Sequence, residues 1–500
     1  MNKNHWLLGN SLNRQEPAFE FATNSNVINQ NTKEDSMLKC LCLKLGGIPG
    51  LDKRTRFDSH CHVFNSQIID FYMIIFFLTR IFGTLGDEDQ ENLTKDEKSF
   101  FEGVGDFFDK LIKTLHFLEI GFSPSSVAIA KKLDCGYRGR FKLAPLMFDL
   151  DGCFIGTEGG PSEGLVQIKS RLKELPSDIS NRIEKRYGKD KFTKHPLGKK
   201  IKPSIDKMQK SLKNIQENVK FFSKDIEEKP ADSTKCFNEQ IKLLLDCKTK
   251  LPGKIFPFLV VDPRKEGIYE IFKEQVVQKK NFTGVKIYCP IGYSPTHPML
   301  FGKKAGDECV YSICEKLGIP IIAHCSRGGF VTFQDKIRVT GHILDLVTQA
   351  PIYMEDYVLE FENSLGNPTS KINEVSDRLN HPKLWELVLE RYPNLKLDLA
   401  HWGGESAEWR SLITEMLRKY KNLYSDFACA EEKFFKDIIA DFNDPEKPYL
   451  KEKLLYGSDY HILMLFSENI QSYLKMFLTS LSKEDWDMIS ITNPNRFFGL

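Results

Sequence analysis

An α/β chain folded as a (β/α)8 TIM barrel is what this sequence predicts, and three observations predict it. Short apolar runs ending in polar residues recur eight times from residue 56 onward. Stretches with helical periodicity separate most of them, and histidine or aspartate closes three of the runs while His324 stands one residue from the end of a fourth. Strand and helix alternating in this way build a parallel sheet with crossover helices, and eight repeats suit a barrel.

In chain order the strand runs are Arg56–His62 (RFDSHCH), Phe141–Phe148 (FKLAPLMF), Ile255–Val261 (IFPFLVV) and Gly284–Tyr288 (GVKIY). Then follow Pro320–Cys325 (PIIAHC), Leu395–His401 (LKLDLAH), Leu423–Phe427 (LYSDF) and Lys453–Asp459 (KLLYGSD). Helical pattern occupies Ile268–Val277, Glu308–Leu317 and Leu384–Tyr392 among the connections. A bare barrel needs ~250 residues, whereas the stretch 56–500 holds 445, so insertions account for the surplus.

The first insertion, 155–252, lies between strands two and three. Residues 169–254 carry 23 Lys+Arg against 12 Asp+Glu, a net of +11. Within it Ile201, Ile205, Met208, Leu212, Ile215, Val219 and Phe222 alternate in steps of four and three, one stripe of a helix, and Cys236–Lys250 reads as a returning helix. The expected product is a basic helical hairpin, whose charge is that of a solvated surface or of a docking patch. The second insertion is a long loop after strand five, about 326–382, placed to serve as a lid. The expected division is a tail or wrap over 1–50, the barrel over 51–500, and the basic insertion within it.

Composition excludes several classes. At 41% hydrophobic and 28% charged residues the chain can bury a large core and is not a disordered one. A net charge of +2 supplies no whole-molecule field for nucleic acid or anionic lipid, so no nucleic-acid partner is expected. The most apolar run, Ile68–Leu78, contains Asp70 and stops at Arg80, too short to span a bilayer. The wider run 68–82 suits burial, a wall over the site, or a contact in a homo-oligomer. Twelve scattered cysteines without a CxxC pair, together with the lack of an apolar leader in the first twenty residues, fit reduced thiols and a cytoplasmic setting.

The polar strand ends carry the chemistry. His60 and His62 end strand one, His324 strand five, His401 strand six and Asp459 strand eight, all at the C-terminal edge where barrel enzymes build their sites. Residues two apart on a strand face one side, so two imidazoles of an HxH can hold one ion. With an open position, such an ion activates water and polarises a carbonyl.

These pieces resemble the metal-dependent amidohydrolase superfamily. They are FDSHCHVFN (57–65), VVDPR (260–264), FTGVKIYCPIGYSP (282–295), GIPIIAHCSRGG (318–329), PNLKLDLAHWGG (393–404), LLYGSDYH (454–461) and NPNRFFGL (493–500). The likeness is to the amidohydrolase-related branch, which also contains non-oxidative decarboxylases similar to aminocarboxymuconate-semialdehyde decarboxylase. It implies a divalent metal, usually zinc, held by His60, His62, His324 and Asp459, with His401 beside it as a catalytic residue or further ligand. By position Asp459 is the catalytic residue expected to take the water proton and hand it to the leaving group, and His401 the one expected to hydrogen-bond the developing oxyanion or act as acid.

Lys286 on strand four is a bridge to a second ion if carboxylated, or a contact for substrate acid groups; one ion is the expectation. Arg327 and His461 are substrate-binding candidates, and Arg496 reads as a structural tie. The functional expectation is hydrolysis of an amide, lactone or ester-type bond of a small molecule. A decarboxylase of the same fold and a non-catalytic scaffold are the alternatives.

Overall fold

A computed structural model describes residues 48–64, 125–149, 233–332, 334–361 and 368–500, with isolated residues between 113 and 123 and at 152–153. The segment 1–47, the apolar run 68–82 and the Ile201–Phe222 stripe lie outside the described residues.

All eight predicted runs form strands in the predicted order. They are β1 (Arg56–Cys61), β2 (Phe141–Pro145), β3 (Phe258–Val260), β4 (Gly284–Ile287), β5 (Ile321–Ser326), then, beyond two strands of a hairpin, β8 (Leu397–Gly403), β9 (Leu423–Asp426) and β10 (Leu454–Leu455). β1 pairs with β2, and β3-β4-β5-β8-β9-β10 form one six-stranded sheet; every pairing in both is parallel. Single parallel bridges, Leu143 to Ile255 and Leu146 to Phe258, link β2 to β3, and another, Cys61 to Tyr460, links β1 to the chain past β10.

The strands are near-continuous apolar runs because both faces are covered: Ile321, Ile322 and Ala323 of β5 are all fully buried. Helices stand in every connection between consecutive parallel strands, namely Ser126–Gly136, Ser233–Lys250, Ile268–Phe272, Val310–Leu317, Pro382–Arg391, Ala407–Lys419 and Glu432–Phe442. The stretch Cys236–Lys250, expected as helix, is helical within Ser233–Lys250.

Inward-facing Phe57, Phe258, Ile322, Ala400, Tyr424 and Leu455 form an apolar cluster closed by Phe497 and Phe498 of the C-terminal helix Asn493–Phe498. Phe498 stacks on Phe57 at 5.1 Å, and Phe497 meets Tyr424 at 5.3 Å. Arg496, on the same helix, is exposed and 3.6 Å from Glu452, a surface position that fits the tie and not a substrate fork.

The segment expected to be a long loop after strand five is instead structured. β6 (Lys336–Leu344) and β7 (Pro351–Glu360) pair antiparallel, and the helix Pro368–Asn380 follows. The period-two pattern was present in KIRVTGHIL. Ile337, Val339 and Ile343 face inward onto Ile372, Val375 and Leu379 of that helix, while Lys336 and Arg338 face solvent.

Eight of the described cysteines are free and Cys135 is disulfide-bonded, so the expectation of reduced thiols fails at Cys135. Among the described residues no helix is long and apolar enough to cross a membrane.

Two histidines without a role in the sequence reading turn out to be helix caps. His297 and His381 each precede a proline at the first helical turn, and each Nδ1 accepts the backbone N–H two residues on, at 3.2 Å. An accepting nitrogen must be unprotonated, and burial pushes both rings down to about 4. A free imidazole takes its proton near pH 6.5, so each cap contributes fully above that pH and loses its contribution as the pH falls toward 4, up to about 3 kcal/mol for the better buried His381. His381→Asn keeps an acceptor at the cap without the titration. Urea unfolding at pH 7.5 and pH 5 should show wild type losing about 1–2 kcal/mol more than His381→Asn over that interval; equal losses would contradict the assignment.

Candidate metal centre

β1 presents its two histidines to one side. The rings of His60 and His62 have centroids 5.6 Å apart, and Cys61 between them is buried in the main apolar core. Each ring is oriented through Nδ1: His60 Nδ1 is 2.7 Å from Asp426 Oδ2, and His62 Nδ1 is 3.0 Å from the Leu146 carbonyl. A neutral imidazole that donates from Nδ1 keeps its lone pair on Nε2. Burial pushes His60 down to about 4 against the opposing pull of Asp426, so this ring is neutral near pH 7.

Both Nε2 atoms converge on one oxygen. Asp459 Oδ1 lies 3.1 Å from His62 Nε2 and 3.5 Å from His60 Nε2. The backbone fixes this meeting: the N–H groups of Ser458 and Asp459 both donate to the His60 carbonyl, at 3.0 and 2.7 Å. A Cβ on Gly457 would fall 2.8 Å from His60 Cβ, so only glycine lets the chain past β10 approach β1 this closely. Burial alone would raise the Asp459 carboxyl, yet the hydrogen bond with His62 and the imidazoles around it hold it well below the usual carboxylate range. It is an anion inside the protein.

An anionic oxygen facing two ring nitrogens at these distances calls for positive charge between them, which a proton on His62 Nε2 or a bound cation supplies. Ligands about 2.05 Å from a tetrahedral ion stand about 3.3 Å apart, and the observed 3.1 and 3.5 Å bracket that spacing. The trio therefore fits a divalent ion. A second group, His60, His401 and Asp426, also has its potential ligand atoms close together. Asp426 is already committed there: Oδ2 accepts from His60, and Oδ1 accepts the backbone N–H of His401 at 2.7 Å and of Ala428 at 3.0 Å.

His401, at the end of β8, packs beside His60 with ring centroids 4.9 Å apart. Its Nδ1 is 3.0 Å from the Ala428 carbonyl, which turns Nε2 away from that contact. Both His401 and Asp459 have positive φ, 72° and 57°, a conformation that costs a non-glycine residue and persists where surrounding bonds enforce it. His324, expected as a fourth ligand, stands one ring further on, 4.7 Å from His401, and belongs to neither close group. Its Nε2 is 3.0 Å from the Gly328 carbonyl and 3.2 Å from Ser326 Oγ, which leaves Nδ1 as its free nitrogen.

Lys286 is buried on β4, and its Nζ has no hydrogen-bond partner among the described residues. Burial lowers it to about 8 against the attraction of Asp426, Asp459 and Asp398. Burial and the Asp426 charge push Asp398 well above the usual carboxylate range, so Asp398 is the protonated member of that pair of acids.

The remaining candidates divide. Arg327 donates from Nε and Nη2 to both oxygens of Asp377, at 2.7 and 2.6 Å, so the fork expected for a substrate carboxylate is taken by the protein. His461 is fully buried between Phe64 and Phe117, with ring centroids at 4.6 and 4.8 Å, and among the described residues no side-chain group hydrogen-bonds its ring nitrogens. An aromatic wall continues from it: Phe148 lies 5.8 Å from His62 and 4.8 Å from Tyr288, which in turn stacks on His324 at 4.4 Å. Tyr293, just past β4, donates to the Val261 carbonyl at 3.3 Å.

Sequence reasoning missed Asp426 and Asp398. Asp426 had a signal, since it ends the seventh run in the same way that the histidines end theirs. Asp398 had none, being one polar residue inside an apolar strand.

Residues 222–500 match the family model described as Amidohydrolase, a span that includes His324, His401 and Asp459 but not His60 or His62. Among solved structures, 5-carboxyvanillate decarboxylase from Novosphingobium aromaticivorans, complexed with manganese, is 12% identical over 55% of this chain and 72% of its own, with a TM-score of 0.36. The 2,6-dihydroxybenzoate decarboxylase from Rhizobium is 14% identical over 53% and 79%, with a TM-score of 0.32. A probable 2-pyrone-4,6-dicarboxylic acid hydrolase from Acinetobacter baumannii is 14% identical over 52% and 78%, with a TM-score of 0.31. A search of curated proteins finds no match. With more than half of its length matched by the family model, and with the strand-end residues ordered as described, the chain belongs to the amidohydrolase family.

Proposed function

We propose that this chain is a metal-dependent hydrolase acting on an amide, lactone or ester-type bond of a small molecule. Its eight parallel strands, in this reading, form one closed (β/α)8 barrel with the centre at the C-terminal mouth. Closure is supported by the bridges at both seams, β2 to β3 and β1 to the chain past β10. The observation that carries the functional reading is the convergence of two imidazole Nε2 atoms on the buried Asp459 anion.

His60, His62 and Asp459 are the proposed holders of one divalent ion, with His324, one ring beyond His401, as a further proposed ligand. Nitrogen and carboxylate donors suit zinc. When bound, the ion supplies Lewis acidity, polarising a substrate carbonyl and making water acidic enough to attack near neutral pH. The protein's own groups do the rest. Asp459 accepts the proton of the attacking water and returns it to the leaving group. His401, with Nδ1 tied to Ala428, offers Nε2 to the oxyanion side of the reacting carbon. Phe64, Phe148 and Tyr288 exclude bulk water, and His461 and Lys286 are the polar groups left to bind substrate.

One ion is preferred to two because Asp426 has no free oxygen and His60 serves both close groups. A second ion through carboxylated Lys286 remains a distinct outcome of metal counting. The hydrolytic reading is preferred to decarboxylation because Asp377 occupies the Arg327 fork.

Full-length protein loaded with zinc or manganese should hydrolyse at least one member of a panel of small lactones, amides and esters, and a chelator should abolish the turnover. CO2 release from unsaturated acids without hydrolysis would replace the reading with the decarboxylase. Failure to bind metal at all would leave the scaffold, with the basic insertion as its interface.

Asp459→Asn and His401→Ala should each lower kcat/KM by about 10²–10⁴-fold while the unfolding midpoint stays near wild type. His62→Ala should lower bound metal per chain as measured by plasma mass spectrometry; unchanged metal would remove His62 from the ligand set.

A further inference from the structure

We infer that Asp426 is the positioning residue of the centre, one buried carboxylate that sets the protonation pattern of His60 and the backbone of His401 together. The inference rests on the metal reading above and assigns no ligand role to Asp426 itself.

The geometry uses both carboxylate oxygens. Oδ2 accepts from His60 Nδ1 at 2.7 Å. That bond obliges the ring to carry its proton on the side away from the centre and to present the lone pair of Nε2 toward Asp459. Oδ1 accepts two backbone N–H groups, from His401 at 2.7 Å and from Ala428 at 3.0 Å. The first holds His401 in its left-handed conformation at φ 72°. The second fixes the Ala428 peptide, whose carbonyl oxygen accepts from His401 Nδ1 at 3.0 Å.

Asp426 thus determines where the free nitrogens of two rings on separate strands point, and it touches neither a substrate position nor the Asp459 carboxylate. A hydrogen-bonded carboxylate behind a ligating imidazole fixes its tautomer and raises its basicity, and losing such a partner costs about 10–100-fold in metal affinity.

The substitution Asp426→Asn separates positioning from packing, because it keeps the shape. Its amide oxygen best serves the two backbone N–H groups, so its amide nitrogen faces His60 Nδ1. That ring nitrogen must then accept, and the proton moves to Nε2, where it blocks the lone pair.

The test uses the full-length protein labelled with ¹⁵N-histidine, the His60 signal being identified by its loss in His60→Gln. In metal-free wild type, His60 should show the Nδ1–H tautomer; in Asp426→Asn it should switch to Nε2–H. Cobalt titration followed by visible absorption should show about 10–100-fold weaker binding in the variant, with the circular dichroism spectrum retained. An Nε2–H tautomer of His60 in wild type overturns the inference, and so does a folded variant with unchanged tautomer and cobalt affinity. If Asp426→Asn fails to fold, the wild-type tautomer alone decides. If wild type binds no cobalt, the metal reading fails by itself, and the tautomer pair still judges the role of Asp426.

Discussion

A buried carboxylate anion held against the Nε2 atoms of two histidines is the constraint around which this molecule is organised. Burying a charge without compensation costs several kcal/mol at least, and Asp459 is buried together with the atoms that face it. The surroundings keep the arrangement in place. The His60 carbonyl accepts both N–H groups around Asp459, Gly457 clears the approach, and Nδ1 of each histidine is engaged from behind. Each of these contacts holds the oxygen against the two ring nitrogens, a donor set that a divalent cation fits.

The supporting shell extends the same logic outward. Asp426 gathers His60 and His401, and Asp398 next to it is kept protonated by burial and by the Asp426 charge. Lys286 lies among these acids without a hydrogen bond of its own. Toward the other end of the strands lies an apolar cluster capped by Phe497 and Phe498, so the polar residues of the candidate centre gather at the C-terminal strand ends.

Much of this was legible in the sequence, for identifiable reasons. The eight strands were readable because parallel strands covered on both faces are short apolar runs, and the strand-end histidines stood out as polar punctuation. The β6–β7 hairpin was overlooked although Ile337, Val339 and Ile343 alternate as an antiparallel strand should, because a loop was expected in that position. His297 and His381 as caps required the pairing of histidine with a following proline to be read as a helix start. The engagement of Arg327 by Asp377 depends on a helix fifty residues along the chain, and no local pattern reports it. Likewise, His324 is one ring removed from the trio because its Nε2 turns to Gly328, a rotamer choice that strand position does not encode.

The most direct measurement is anomalous diffraction at the zinc or manganese edge from crystals of metal-loaded protein. The account predicts one strong peak per chain bonded to His60 Nε2, His62 Nε2 and Asp459, at about 2.0–2.2 Å, with Asp426 outside the coordination sphere. A peak elsewhere, or loaded crystals in which Asp459 still hydrogen-bonds His62 directly with no ion between them, would contradict it.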